Sequence, residues 1–112
     1  MDIIQHPLFL TSNIIGIDEA QFFTDIREFL LKTEHLNKTF IISGLDGDSE
    51  RRPFGKILDC IPLCDEVIKL TAMDMIDKDG TPAIFTKRII ENEDQICIGA
   101  VGDYIAVSRH NY

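Results

Sequence analysis

The sequence predicts an α/β protein in which a small parallel sheet is followed by a β-ribbon. Three observations predict this class. Short β-branched apolar runs alternate with a segment of helical period in the first half of the chain. Polar and acidic residues come directly after those runs, as at the carboxyl edge of a parallel sheet. Strong turn signals between extended stretches dominate the last third of the chain.

The first half of the chain reads as a strand, a helix and a second strand. Residues Asn13–Asp18 form an apolar run that ends in acids, which predicts a buried strand delivering Asp18 and Glu19 to its carboxyl end. Apolar residues then recur at helical spacing from Thr24 to about Leu36. The β-branched run Thr39–Ser43 predicts the second strand. Such a unit has parallel strands and a right-handed crossover.

A polar, glycine-bearing loop, Gly44–Pro53, leaves the carboxyl end of the second strand. This is the edge at which open α/β sheets bind ligands. Pro53 suits the start of a short helix over residues Phe54 to about Ile61. The run Glu66–Leu70 predicts a third strand.

The pattern changes near Ala72. The residue types of Asp77–Pro82 strongly favour a turn between two extended stretches. We expect Ile84–Thr86 and Ile96–Ile98 to be strands of a small antiparallel ribbon. The chain is therefore divided into an α/β part, residues 1–71, and a ribbon subdomain, residues 72–112.

Composition excludes several classes of partner. The 112 residues carry 11 basic and 19 acidic side chains, a net charge of −8, which argues against nucleic acid or an anionic membrane as the main partner. No apolar run approaches the roughly 18 residues of a membrane helix, and the first residues lack a basic leader region. The three cysteines are an odd number, which favours a reducing, cytoplasmic location over a disulfide framework.

The adjacent acids Asp18 and Glu19 are the best catalytic candidates. An acidic pair at the end of a buried parallel strand is typical of a Walker B arrangement. There, one carboxylate holds Mg²⁺ through water and its neighbour takes a proton from an attacking hydroxyl. The alternative is an exposed strand end whose charges are simply solvated.

Other candidates have strong structural alternatives. Arg51 and Arg52 could neutralise phosphate oxygens, but they could equally pair with the acids around them. Phe22 and Phe23 could stack a base, although two aromatics at a helix start more often belong to the core, and Tyr104 has the same ambiguity. Three cysteines are expected to pack as small apolar groups: Cys60, Cys64 and Cys97.

A glycine-rich phosphate loop is missing from the sequence. Neither G-x-x-x-x-G-K-[ST] nor G-x-G-x-x-G occurs. This absence conflicts with the phosphoryl-transfer chemistry that the acidic pair suggests.

Several segments together resemble the type II thymidine kinases, the cellular and poxvirus-like family. The resemblance runs in order from about Ile14 to Tyr112 and corresponds to the C-terminal portion of the family's domain. The segments that carry it are Ile15–Phe23, Gly44–Gly47, Arg51–Gly55, Val67–Ala72, Phe85–Arg88, Ile98–Gly99 and Tyr104. The resemblance implies a partial P-loop-NTPase-like parallel sheet with a small β-ribbon lasso subdomain.

The resemblance also implies roles for individual residues. Glu19 matches the general base that deprotonates the 5′-hydroxyl of thymidine, and Asp18 matches the acid that holds Mg²⁺ through water. The remaining matched positions bind the nucleoside, either as pocket walls, as lasso residues or through backbone groups that read the thymine edge. They are Phe22, Leu45, Thr86, Gln95, Cys97, Gly99 and Tyr104.

Three departures from the family pattern bear on function. The family's Walker A loop lies upstream of the first residue here, so the phosphates of ATP would have few groups to hold them. The family's lasso zinc site has two Cys-x-x-Cys pairs, where this sequence has Asp74-x-x-Asp77 and Ser108-x-x-Asn111. Oxygen ligands are poor for a structural zinc, so we expect none. Ser49 also replaces a phenylalanine that usually faces the nucleoside.

The resemblance thus implies a truncated thymidine kinase homologue of deoxyribonucleoside salvage, whose ancestral reaction transfers a phosphoryl group from ATP to thymidine with Mg²⁺. The alternative is a non-catalytic remnant that binds nucleoside or helps a kinase to oligomerise. Family members are commonly tetrameric, so a homo-oligomer is expected.

Overall fold

The computed structural model describes residues 1–89 and 103–112. Two of its elements are α-helices, α1 (Pro7–Thr11) and α2 (Ile26–Thr33). Six are strands: β1 (Ile14–Ile17), β2 (Thr39–Ile42), β3 (Ala72–Met73), β4 (Pro82–Ala83), β5 (Phe85–Arg88) and β6 (Tyr104–Val107). Four are 3₁₀ helices: Asp2–Gln5, Ala20–Phe22, Glu34–Leu36 and Ile57–Leu63.

The chain forms two compact units. The first unit contains residues 1–46 and 53–67, and the second contains residues 47–52 and 68–112. The expected strand–helix–strand unit lies in the first: β1 and β2 pair in parallel, with Ile14 opposite Thr39 and Ile17 opposite Ile42. The prediction of two parallel strands joined through a helix is therefore confirmed.

The helices cover one face of this two-stranded sheet. The apolar stripe of α2 buries Ile26 and Phe29, and Phe29 makes edge-to-face contacts with Phe9 of α1 at 6.0 Å and with Phe40 of β2 at 5.7 Å. Period-two alternation along β1 places Ile17 in this core.

The opposite face of the sheet is exposed. Ile14 is 65% exposed and Ile41 is 62% exposed, and nothing lies within 4 Å of the place where a Cβ on Gly16 would sit. Parallel strands in proteins are ordinarily covered on both faces. The first unit therefore presents an uncovered apolar sheet surface.

Two predicted elements differ from the structure. The prediction of a third strand over Glu66–Leu70 is wrong. These residues form no strand, and Val67 and Leu70 are exposed. A strand needs hydrogen bonds to a neighbour's N–H and C=O groups, and this run pairs with none of the described strands. The predicted short helix is instead a 3₁₀ helix that begins at Ile57, because Gly55 has a φ of 61° and cannot be helical.

The second unit is built from two antiparallel strand pairs. β3 pairs with β4, so the predicted turn over Asp77–Pro82 does connect two extended stretches. β5 pairs with β6, with Phe85 opposite Val107 and Arg88 opposite Tyr104. The predicted strand Ile96–Ile98 lies outside the described residues. The division at residues 71 and 72 stays a prediction.

Candidate active site

The acidic pair occupies a sharp turn at the carboxyl end of β1. Asp18 lies just past the strand, where its Oδ1 accepts hydrogen bonds from the Glu19 N–H and from the hydroxyl of Ser43, each at 2.8 Å. Ser43 follows β2, so the carboxyl ends of both parallel strands meet here. No hydrogen bond from the described part of the chain reaches Asp18 Oδ2, which leaves this oxygen open to solvent or a ligand.

Glu19 adopts a left-handed backbone conformation, with φ 52° and ψ 43°. This region is unfavourable for a residue with a Cβ and turns the chain abruptly into the 3₁₀ helix Ala20–Phe22. Glu19 Oε2 accepts a hydrogen bond of 2.7 Å from the side-chain amide of Gln21. Glu19 is exposed, and within residues 1–89 and 103–112 its Oε1 has no hydrogen-bond donor.

Two apolar side chains beside the turn are exposed rather than buried. The alternative that Phe22 belongs to the core is wrong, because the residue is 65% exposed and its ring touches that of Phe54 edge to face at 5.5 Å. The preceding residues Ala20 and Gln21 take the buried positions of the 3₁₀ helix, so Phe22 turns outward. Leu45 is 48% exposed. Exposed apolar groups next to a carboxylate suit the face of a base or sugar.

The loop after β2 is held close to this turn. A Cβ at Gly44 would lie 2.5 Å from Gln21 Oε1 and 3.0 Å from the Ala20 nitrogen, so only glycine fits. The Ala20 N–H donates to the carbonyl of Ser43 at 2.9 Å. A backbone hydrogen bond and close packing therefore join the turn to the loop.

An open cavity of about 450 Å³ lies against one side of the acidic turn. Gly16, Ile17, Asp18 and Phe23 line it together with the first residues of the chain. Of the two acids of the turn, only Asp18 lies on its wall.

The two arginines of the loop have different surroundings. Arg52 pairs with Asp48 at 3.3 Å and with Glu50 at 2.9 Å, which is the local pairing considered as the alternative to phosphate binding. The Arg51 guanidinium lies over the Tyr112 ring at 4.2 Å. A role for either residue with phosphate stays a prediction.

The remaining nucleoside-binding candidates are distributed over the second unit. Thr86 lies on β5, and Tyr104 is the exposed first residue of β6. Gln95, Cys97 and Gly99 lie outside the described residues.

The positions that correspond to the family's zinc ligands form a hydrogen-bonded cluster. Asp74 is only 1% exposed. Its Oδ1 accepts from the Ser108 N–H at 2.7 Å, and its Oδ2 accepts from the Asp77 N–H at 2.7 Å and the Asn111 amide at 2.9 Å. The same Asn111 amide donates to Asp77 Oδ2 at 2.9 Å. An amide NH₂ aimed at both carboxylates is a donor, so this set does not fit a zinc ion.

The cluster strongly favours the ionised form of Asp74. Burial alone would raise the pKa of this carboxyl group. The hydrogen bonds from Asp77, Ser108, Asn111 and Ile76 outweigh that effect and lower the pKa from 3.8 to about 2.

Other metal and redox chemistry finds little support in the residues described. They contain no group of three or more His, Cys, Asp or Glu side chains placed to hold a metal ion. Cys60 is buried, as expected, whereas the same expectation for Cys64 is wrong because that thiol is exposed. Burial raises the pKa of the Cys60 thiol, which makes it unreactive. No helix among the described residues is long and apolar enough to cross a membrane.

Comparison with known proteins decides the family. Residues 2–112 match the sequence model of thymidine kinase. The chain belongs to this family. It is 40% identical over 111 residues to the cytosolic thymidine kinase of Homo sapiens, covering 99% of this chain and 46% of that protein. It is 43% identical over 100 residues to the thymidine kinase of Variola virus, covering 89% and 55% respectively.

A further relative is thymidine kinase 1 of Dictyostelium discoideum, with 40% identity over 100 residues, covering 89% of this chain and 43% of that protein. The chain thus spans about half the length of the curated relatives it matches. These relatives support the family resemblance, which implies the roles given above for Asp18 and Glu19.

Sequence reasoning missed two residues that shape the acidic turn, Ser43 and Gln21. Each had a signal in the sequence. Ser43 is the first polar residue after an apolar strand, and Gln21 is the one polar residue within Ala20–Phe23. A polar side chain inside an apolar run is expected to find specific partners when it is buried.

Proposed function

We propose that this chain supplies the general base and part of the nucleoside site of a thymidine kinase, which transfers the γ-phosphoryl group of ATP to the 5′-hydroxyl of thymidine. The observation that carries the proposal is the acidic turn. One carboxylate oxygen of Glu19 is held by Gln21, and the other has no donor in the described chain.

Glu19 Oε1 is therefore available to accept the proton of a substrate hydroxyl. The exposed rings and side chains beside it, Phe22 and Leu45, suit the apolar faces of a nucleoside. Contributions from Thr86, Gln95, Cys97, Gly99 and Tyr104 belong to the same proposal and rest on the family resemblance.

Asp18 suits a magnesium ion. Mg²⁺ is commonly held by one or two carboxylates together with substrate phosphates and water. Asp18 offers a hard oxygen, Oδ2, that no hydrogen bond from residues 1–89 and 103–112 reaches. When bound, the ion would neutralise charge on the phosphates of ATP. Ser43 holds the other oxygen, so Asp18 has a fixed orientation before any ligand arrives.

The residues of this sequence offer few groups that could bind the phosphates of ATP. The sequence has no glycine-rich phosphate loop. A second candidate function is that the chain binds nucleoside or oligomerises with a kinase without catalysing transfer, which the exposed Phe22 and Leu45 and the uncovered face of the β1–β2 sheet favour.

The decisive experiment measures transfer from γ-labelled ATP to thymidine by the chain, together with thymidine binding by calorimetry. We expect Glu19→Gln to lower kcat by about 10²- to 10⁴-fold, the usual contribution of a general base. Glu28→Gln, an exposed glutamate on α2, is the matched control and should change nothing.

The two functions give different results. Product that is lost in Glu19→Gln supports the kinase. Thymidine binding without product supports the nucleoside-binding alternative. A folded chain that does neither would contradict both.

A further inference from the structure

We propose that Gln21 is a positioning residue that fixes the Glu19 carboxylate relative to the loop at Leu45. This inference rests on the proposed function for its meaning in catalysis. The hydrogen bonds of Gln21 with Glu19 and Leu45 do not depend on that function.

Both polar groups of the Gln21 side chain make hydrogen bonds. It is 2% exposed, its amide NH₂ donates to Glu19 Oε2 at 2.7 Å, and its carbonyl Oε1 accepts from the Leu45 N–H at 3.1 Å. A carboxylate needs a donor and a backbone N–H needs an acceptor. Only this orientation of the amide satisfies both partners.

Two glycines pack closely against Gln21. Gly44 passes so close that a Cβ there would lie 2.5 Å from Gln21 Oε1. A Cβ at Gly55 would overlap the Gln21 carbonyl oxygen, and Gly55 also has a φ of 61°. Two glycines thus allow the chain to close on both sides of this glutamine.

The consequence concerns which oxygen of Glu19 faces a substrate. Because Oε2 is held by a buried amide, the exposed carboxylate loses much of its rotational freedom, and Oε1 becomes the available base. The same amide fixes the backbone of Leu45, a proposed pocket wall. One side chain therefore sets the separation between the proton acceptor and the apolar surface beside it.

Two variants separate the two contacts. Gln21→Glu keeps an oxygen for the Leu45 N–H but replaces the donor to Glu19 with a negative charge. Gln21→Met has a similar length and makes neither contact. Gln5→Glu, at an exposed glutamine of the first 3₁₀ helix, is the control for added charge.

Nuclear magnetic resonance of the isotope-labelled chain provides a readout that needs no activity. We expect the Leu45 amide to exchange with solvent about tenfold faster in Gln21→Met, the effect of losing one hydrogen bond, and at the unaltered rate in Gln21→Glu. Contacts between the Gln21 amide protons and the Glu19 side chain should be present in the original chain. Unaltered Leu45 exchange in Gln21→Met, or missing contacts to Glu19, would overturn the proposal.

The phosphoryl-transfer assay is run on the same proteins. We expect both Gln21 variants to lower kcat by about tenfold or more with a much smaller change in KM, while Gln5→Glu remains normal. An active original chain whose Gln21→Glu variant keeps full kcat would refute the positioning role. If the original chain has no transfer activity but shows the resonance contacts, the proposed function fails and the positioning of Glu19 stands.

Discussion

At the scale of single residues, two phenylalanines have opposite surroundings. Phe29 is 2% exposed and packs between the rings of Phe9 and Phe40. Phe22 is 65% exposed and touches only one other ring, that of Phe54, among the aromatic contacts of the described chain. The first belongs to the core, and the second is available to a ligand.

We predict that Phe22→Ala changes the free energy of unfolding by less than about 1 kcal/mol, because little of its ring is buried. Thymidine affinity should fall by about tenfold, the scale of one stacked aromatic ring. Urea unfolding and thymidine titration measure the two effects.

Phe29→Ala is the contrasting variant. It should cost about 3–5 kcal/mol, as is usual for removing a buried phenylalanine. A large loss of stability in Phe22→Ala with unaltered thymidine binding would place that ring in the core after all.

Sequence patterns predict the surroundings of some residues but not of others. Burial of Phe29 follows from helical spacing alone. The exposure of Phe22 does not, because it depends on the left-handed turn at Glu19 and on the short 3₁₀ helix that buries Ala20 and Gln21 instead. The partners of Gln21 depend on a loop more than twenty residues away in sequence. Periodicity contains no information about such contacts.

At the scale of elements, the ribbon unit depends on one buried carboxylate. Asp74 follows β3, and its partners Ser108 and Asn111 follow β6. The Asp74 N–H also donates to the carbonyl of Thr81, just before β4. A single aspartate therefore links both antiparallel strand pairs.

We predict that acid weakens this unit as the pH falls from about 4 towards 2. The folded pKa of Asp74, about 2, lies below its ordinary value of 3.8. Its stabilising effect is therefore present above the ordinary value and is lost as the carboxylate becomes protonated in the folded state. Thermal unfolding followed at several pH values measures this dependence.

Asp74→Asn should remove that dependence and lower the melting temperature by roughly 5–10 °C at neutral pH, since several buried donors lose a charged acceptor. Asp103→Asn, at an exposed aspartate just before β6, is the control. A melting temperature of the original chain that rises with added zinc would contradict the hydrogen-bonded interpretation of this cluster.

Element-level predictions succeeded where the residue pattern itself marks the element. β1, α2 and β2 follow from apolar β-branched runs and from helical spacing. The predicted strand at Glu66–Leu70 failed because a strand is defined by its partner, and propensity does not provide one. The Asp74 cluster joins residues more than thirty positions apart. The residue types at these positions predict a poor fit to zinc, but they do not show which groups contact each other.

At the scale of the whole molecule, the uncovered face of the β1–β2 sheet is an exposed apolar surface of the first unit. Ile14, Gly16, Thr39 and Ile41 share it in register. Apolar surface of this kind tends to be covered by another protein surface.

We predict that the purified chain associates as its concentration rises, which sedimentation velocity would detect. The double variant Ile14→Thr with Ile41→Thr should weaken association by about tenfold or more, because it removes exposed methyl groups and keeps β-branched residues in the strands. Leu31→Gln, at an exposed position of α2, should leave association unaltered. A monodisperse monomer at every concentration would contradict this prediction.

The turn at Glu19 has a consequence for how this protein can be improved. A residue with a Cβ loses about 1 kcal/mol or more in the left-handed conformation that Glu19 adopts, and glycine does not. A library selected only for heat tolerance should therefore enrich Glu19→Gly and discard the very carboxylate proposed as the base. The backbone conformation at this position favours glycine, whereas the proposed proton transfer needs the glutamate. A more stable chain obtained in this way would therefore lack the proposed base.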